Sequence, residues 1–234
     1  MILHKKLFFY IITGFIIATV IGTVSHEMGH YLVAKGLGYT ASMNYMSTNW
    51  DSKERPFLDS CFDTYSQEIE NNQPFPQKEK FDAIETQMSK DIFWFIMGGP
   101  LQTMLTGSTG LLILFIYRKK YEKAVSLSFK QLLPIFIALF WLREVANTII
   151  WYWDYLLHGA FSTRGDEVRL ALKLNLPIWI FSIISSIIGS AVLVIVLIKF
   201  IPQDKRFTFM LGRLFGGILG YFIWLEWFGK YIMP

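Results

Sequence analysis

The chain has almost no cysteine: Cys61 stands alone among 234 residues. That excludes an internal disulfide and any thiolate knuckle, so a metal site would have to be built from histidine and carboxylates. Histidine is scarce as well, with four in all. Charge is missing over long stretches, since no Asp, Glu, Lys or Arg interrupts Leu7–Ser25, Ile92–Tyr117 or Leu176–Ile198. Each run approaches or exceeds the roughly 18–20 residues that a hydrocarbon core requires of a spanning helix. No stripe of Lys and Arg alternates with stacking aromatics, so the net charge of +4 does not point to nucleic acid. Internal repeats and low-complexity segments are also lacking.

What is present is apolar: 53% hydrophobic residues and a mean hydropathy of +0.38. Two further stretches, Gln131–Leu157 and Phe207–Met233, are long enough to span but carry internal charges. The expectation is an all-α integral membrane protein of about five transmembrane helices, forming a single multi-pass domain over 1–234 in contact with the lipid bilayer. Leu7–Val20 follows Lys5 and Lys6 like a signal peptide, but no small-residue cleavage site follows, so it reads as a retained first span running to about Lys35. Lys5, Lys6, Arg118, Lys119, Lys120, Lys123, Lys130, Lys199, Lys205, Arg206 and Arg213 would share one side, which by the positive-inside rule places the N-terminus in the cytoplasm.

Residues 39–91 form the one sizeable polar insertion, expected outside the membrane. Loose alternation over Tyr39–Trp50 predicts a short β-hairpin. Pro56, Asn71, Asn72, Pro74 and Pro76 predict turns, and Phe81, Ile84 and Met88 predict an interfacial helix over 78–90. The segment is either a solvated loop or a lid. In the second span, Gly98-Gly99-Pro100 predicts a break in the helix. In the third, Arg143, Asn147, Trp151, Asp154 and His158 recur at helical spacing and share one face, which must turn inward, as a structural polar network or a catalytic one. Gly212, Gly216 and Gly220 predict a close helix contact.

The densest chemical signal ends the first span: His26-Glu27-Met28-Gly29-His30. Histidines at i and i+4 lie one turn apart on one helix face, so their ring nitrogens can converge on one Zn²⁺, with Glu27 placed to take a proton from a bound water. A catalytic zinc needs three protein ligands and an open position. With no thiolate available, the third is expected to be a carboxylate, and Asp166, Asp154, Glu144 and Glu167 are the candidates.

On these residues the chain resembles the site-2 protease family of intramembrane zinc metalloproteases. Gly99-Pro100-Leu101-Gln102-Thr103 is similar to that family's Gly-Pro-Leu-x-Asn segment, with Thr103 where Asn is usual. Gly165-Asp166 is similar to its Asp-Gly motif with the order reversed. Glu144-Val145-Ala146-Asn147 also resembles the glutamate-bearing helix of membrane CAAX-processing proteases. The resemblance implies one Zn²⁺ per chain held by His26, His30 and Asp166, Glu27 as general base, and Gly99, Pro100, Gln102 and Thr103 positioning a membrane protein or peptide substrate. It also implies a metal site toward the cytosol, whereas the charge pattern places it on the outer side. The competing reading is a non-proteolytic membrane protein, a metal carrier or a regulatory and binding module. A carrier has no use for an acid–base carboxylate beside its histidines, so Glu27 favours the enzyme.

Overall fold

The computed structural model describes residues 3–234. Five helical stretches are long and apolar enough to cross a membrane: Lys5–Gly36, Lys78–Ile116, Phe129–His158, Ile180–Lys199 and Gln203–Ile232. Their outward faces expose large apolar side chains such as Phe9, Leu105, Ile187 and Ile198, which lipid solvates and water would not. The protein is a multi-span helical membrane protein.

The first span, α1 (Lys5–Gly36), is the central helix. Near its far end it crosses α3 (Lys78–Ile116) so tightly that a methyl group on Gly29 would lie 2.3 Å from the Gly98 carbonyl oxygen. On another side, Gly212, Gly216 and Gly220 of α9 (Arg206–Tyr221) meet Ile11, Ile12 with Phe15, and Thr19 in turn. The two helices therefore run parallel with nearly touching backbones, as the glycine spacing predicts. Ile11, Phe15, Leu114, Ile135, Val196 and Phe209 form the main buried core.

Two expectations need correction, and one span carries a feature that has no local signal. Gly98-Gly99-Pro100 does not break the second span: α3 is helical through Pro100, and these buried glycines serve the crossing with α1. The third span, Phe129–His158, is helical throughout but not uniformly α-helical. A 3₁₀ turn at Leu139–Trp141 separates α5 (Phe129–Ala138) from α6 (Leu142–His158), where Trp141 is wedged between Gly107 of α3 and Gly189 of α8 (Ile180–Lys199). The turn-rich segment after the hairpin contains a helix, α2 (Arg55–Glu70), with Pro56 in its first turn, where a missing N–H costs nothing. Leu58 and Cys61 of α2 pack on Phe81, and the helix expected at 78–90 runs on without a break into the second span.

The predicted hairpin is present. β1 (Thr40–Met43) and β2 (Thr48–Asp51) pair antiparallel, with Thr40 opposite Asp51 and Met43 opposite Thr48. The Asn44 side-chain oxygen accepts from the Met46 and Ser47 amides at 3.0 and 2.8 Å, shaping the turn. The end of the chain clamps that turn. Beyond α9, Phe222–Phe228 is a π-helix from which Trp224 Nε1 donates to the Tyr45 carbonyl at 2.9 Å, and Tyr45 N donates to the Met233 carbonyl at 3.0 Å. Trp50 sits between Tyr39 and Phe95, ring centroids 4.9 and 5.0 Å away, which seats the hairpin against α3. Burial, and then the hydrogen bond Tyr39 donates to Asp91, push the Tyr39 phenol up to about 12.

Candidate metal centre

His26, Glu27 and His30 are all buried on α1, the two histidines against α3 and Glu27 toward the hairpin. Their ligand atoms lie within 4.8 Å of one another, a group that could hold a metal ion. At about 1.5 Å per residue, His26 is roughly 30 Å along the helix from Lys5, so the site lies toward the end of the span remote from the N-terminus.

Both rings are fixed from behind. His30 Nδ1 is 2.7 Å from the Phe95 carbonyl oxygen. A carbonyl can only accept, so Nδ1 carries a proton, and Nε2 is the nitrogen available to ligate in the neutral ring. His26 Nδ1 is 3.0 Å from Thr103 Oγ1, which orients the second ring. The two Nε2 atoms approach to 3.3 Å.

Asp166 comes from a distant part of the chain. It opens a short helix, α7 (Asp166–Lys173), after Gly165, whose φ of +104° favours glycine. A carboxylate in the first turn is also favoured by the helix dipole. Asp166 Oδ2 lies 3.0 Å from His26 Nε2 and 3.1 Å from His30 Nε2. Burial alone would raise its carboxyl, but the contacts with His26 and His30 outweigh that and hold it well below the usual carboxylate range. Three donor atoms of a tetrahedral zinc at about 2.0–2.1 Å stand roughly 3.3–3.4 Å apart. The observed triangle of 3.0, 3.1 and 3.3 Å is close to that. Two imidazole nitrogens and a carboxylate oxygen at these separations are donor atoms of the kind a divalent ion takes. The donor set therefore fits a divalent ion.

Glu27 faces the same space. The Thr48 hydroxyl of β2 lies 2.9 Å from the Glu27 backbone oxygen and 3.2 Å from its Oε2. A cavity of about 570 Å³ opens over the group, lined by Met46 and Thr48 of the hairpin, Arg143 and Asn147 of α6, and Asp166. The hairpin turn thus forms part of the cavity wall.

The remaining candidates fall into place around it. Asp154 lines the cavity but pairs with the exposed His158 at 2.8 Å. Glu167 also lines it and accepts from Asn147 at 3.4 Å. Glu144 is buried beside the Glu167 carboxyl, away from the histidines. On α6, Arg143, Asn147, Trp151 and Asp154 line the cavity as the shared face requires, while His158 lies outside it. Of the stretch on α3, Gly99, Pro100 and Thr103 are buried, Gly99 and Thr103 against the α1 histidines, and Gln102 bonds Thr106 along its own helix at 2.9 Å. Sequence reasoning missed Thr48 and the Phe95 carbonyl. Neither has a local signature, because each acts through tertiary contact.

Gly99 provides a test of the packing. A methyl group there would lie 2.3 Å from His30 Nε2 and 2.4 Å from His26 Nε2. Gly99→Ala is expected to abolish stoichiometric zinc binding, measured by elemental analysis of purified protein, while the helical content by circular dichroism stays that of the parent.

No family model, curated protein or solved structure matches this chain.

Proposed function

We propose that the protein is an intramembrane zinc metalloprotease, in which His26, His30 and Asp166 hold one Zn²⁺ and Glu27 is the general base. The observation that carries the reading is the convergence of the two Nε2 atoms and Asp166 Oδ2 within 3.0–3.3 Å of one another beside a buried glutamate. When bound, the ion would lower the pKa of its water toward about 7 and polarise a peptide carbonyl. Glu27 accepts the proton of the attacking water and returns it to the leaving amine. Thr48 holds the Glu27 carboxylate in place, and Phe95 and Thr103 hold the two rings, so the reacting groups need little rearrangement. Gly99 and Thr103 support the metal ligands in this reading, rather than touching substrate.

Because the site lies on a spanning helix, the substrate is a membrane-embedded or juxtamembrane segment. It must unwind locally, since a helical peptide bond is shielded by its own hydrogen bonds. The cavity wall formed by the hairpin turn, tied to Trp224 and Met233, restricts entry from the water side. The basic residues flanking the first, second and fourth spans support a cytoplasmic N-terminus.

The experiment is cleavage of transmembrane reporter peptides by purified protein in lipid vesicles. Cleavage is expected to stop on chelation by 1,10-phenanthroline and to return on adding zinc. Cleavage that persists in the fully metal-depleted protein would sink the proposal.

A further inference from the structure

A second cavity, of about 330 Å³, lies deeper in the membrane region, between α1, the third span and the last span. Its walls are mainly apolar, with Phe15, Phe136, Phe140 and Leu225 among them. On α1 it extends from Phe15 to Thr23, about 12 Å along the axis. It adjoins the catalytic cavity, since Met46, Arg143, Asn147 and Ile150 line both.

Two arginines line this apolar space, Arg143 and Arg213, and no Asp or Glu does. Arg213 follows Gly212, which packs on Ile11, so it marks the end remote from the metal centre, while Arg143 marks the near end. The Nε atoms of both are buried without a hydrogen-bond partner. Among the described residues neither arginine forms an ion pair within 4.0 Å. Guanidinium groups on spanning helices are costly to maintain and normally face a partner. Among the described residues Arg213 forms no ion pair, and packing explains only the glycines beside it.

We propose that this cavity is a substrate subsite, taking the acidic side chain of a largely apolar transmembrane segment, with Arg213 as the principal recognition group. The proposal rests on the protease reading and specifies its substrate class. Charge complementarity argues for it: Arg143 also faces the carboxylates of the adjoining cavity, but the remote end holds Arg213 with no acidic side chain in the lining, which a carboxylate matches, and the apolar wall is matched by the leucine-like residues around it. Continuity with the catalytic cavity argues for peptide over lipid, because a segment anchored here can extend past Arg143 to the metal centre. Guanidinium to carboxylate is also among the strongest hydrogen-bonded pairs once water is excluded.

Binding, separated from turnover, tests it. The Glu27→Gln protein is placed in phosphatidylcholine vesicles with fluorescent poly-Leu/Ala peptides of about 24 residues, long enough to span. One glutamate or one glutamine is moved along the peptide. At one register the Glu peptide is expected to bind at least about tenfold more tightly than its Gln counterpart. Arg213→Gln should bring that ratio to about one, and Arg213→Lys should keep most of it. Equal affinities at every register would overturn the proposal, as would a preference indifferent to Arg213→Gln. Retention of phosphatidylglycerol by the parent and its loss in Arg213→Gln, without any peptide preference, would make the cavity a lipid site and overturn it too. Cleavage of the peptides by unaltered protein is scored separately. A Glu preference in binding without cleavage removes the protease reading and leaves the subsite, and cleavage without the preference does the reverse.

Discussion

Glu27→Gln is expected to remove turnover by a factor of about 10² or more while leaving fold and metal binding in place. The substitution keeps the shape of the side chain, and its amide oxygen can still accept from the Thr48 hydroxyl that now lies 3.2 Å from Oε2. What it removes is the lone pair that accepts a proton in one step and releases it in the next. Glu27 is buried on α1, with the histidines on either side of it, so no solvent carboxylate can substitute. The check is threefold: zinc content, thermal unfolding and the cleavage rate of a transmembrane reporter. Parental zinc and unfolding with lost cleavage is the expected pattern. A parental rate would exclude Glu27 as the base.

Asp166→Ala is expected to lower zinc affinity by more than about 100-fold, since even outer-shell groups around a metal cost 10–100-fold when removed. Asp166 Oδ2 is within 3.1 Å of both ring nitrogens, and none of the other acidic candidates makes such a contact. Asp154 is occupied by His158 and Glu167 by Asn147, which makes Asp154→Ala the matched control, with zinc retained. Asp166→Asn separates the carboxylate charge from the bulk of the side chain, because it keeps the shape at the start of α7 while removing the charge. If Asp166→Ala kept full zinc and Asp154→Ala lost it, the third ligand would lie on α6. Competition with a chromogenic chelator measures all three variants on one scale.

The parts of this account that were legible in the sequence are those set by local geometry. Histidines at i and i+4 with a glutamate beside the first specify their own arrangement, so His26, Glu27 and His30 stand out from the sequence alone. Uncharged runs fix the spans for the same reason, and the alternation over Tyr39–Trp50 fixes the hairpin. What could not be read depends on distant segments meeting. Thr48 reaches Glu27 because the hairpin folds back over α1, and the Phe95 carbonyl reaches His30 because Gly29 and Gly98 let two helices nearly touch. Proline misled twice, in physically opposite ways. Pro56 read as a turn although it starts a helix, and Pro100 read as a break although packing around Gly98 and Gly99 carries the helix through it. The 3₁₀ turn inside the third span is set by Trp141 between Gly107 and Gly189, two glycines on other helices. Asp166 lies between these cases. The glycine before it and the helix after it are local signals, but its approach to the histidines spans 140 residues of sequence.

The central claim is the composition of the metal centre, and zinc-edge X-ray absorption on the purified protein tests it most directly. One zinc per chain, with two imidazole nitrogens and two oxygens at about 2.0–2.1 Å, is the predicted result, one oxygen coming from Asp166 and the other from water. In Asp166→Ala the carboxylate oxygen should disappear from any residual signal. No bound zinc, or a sphere filled by protein ligands with no water, would contradict the account.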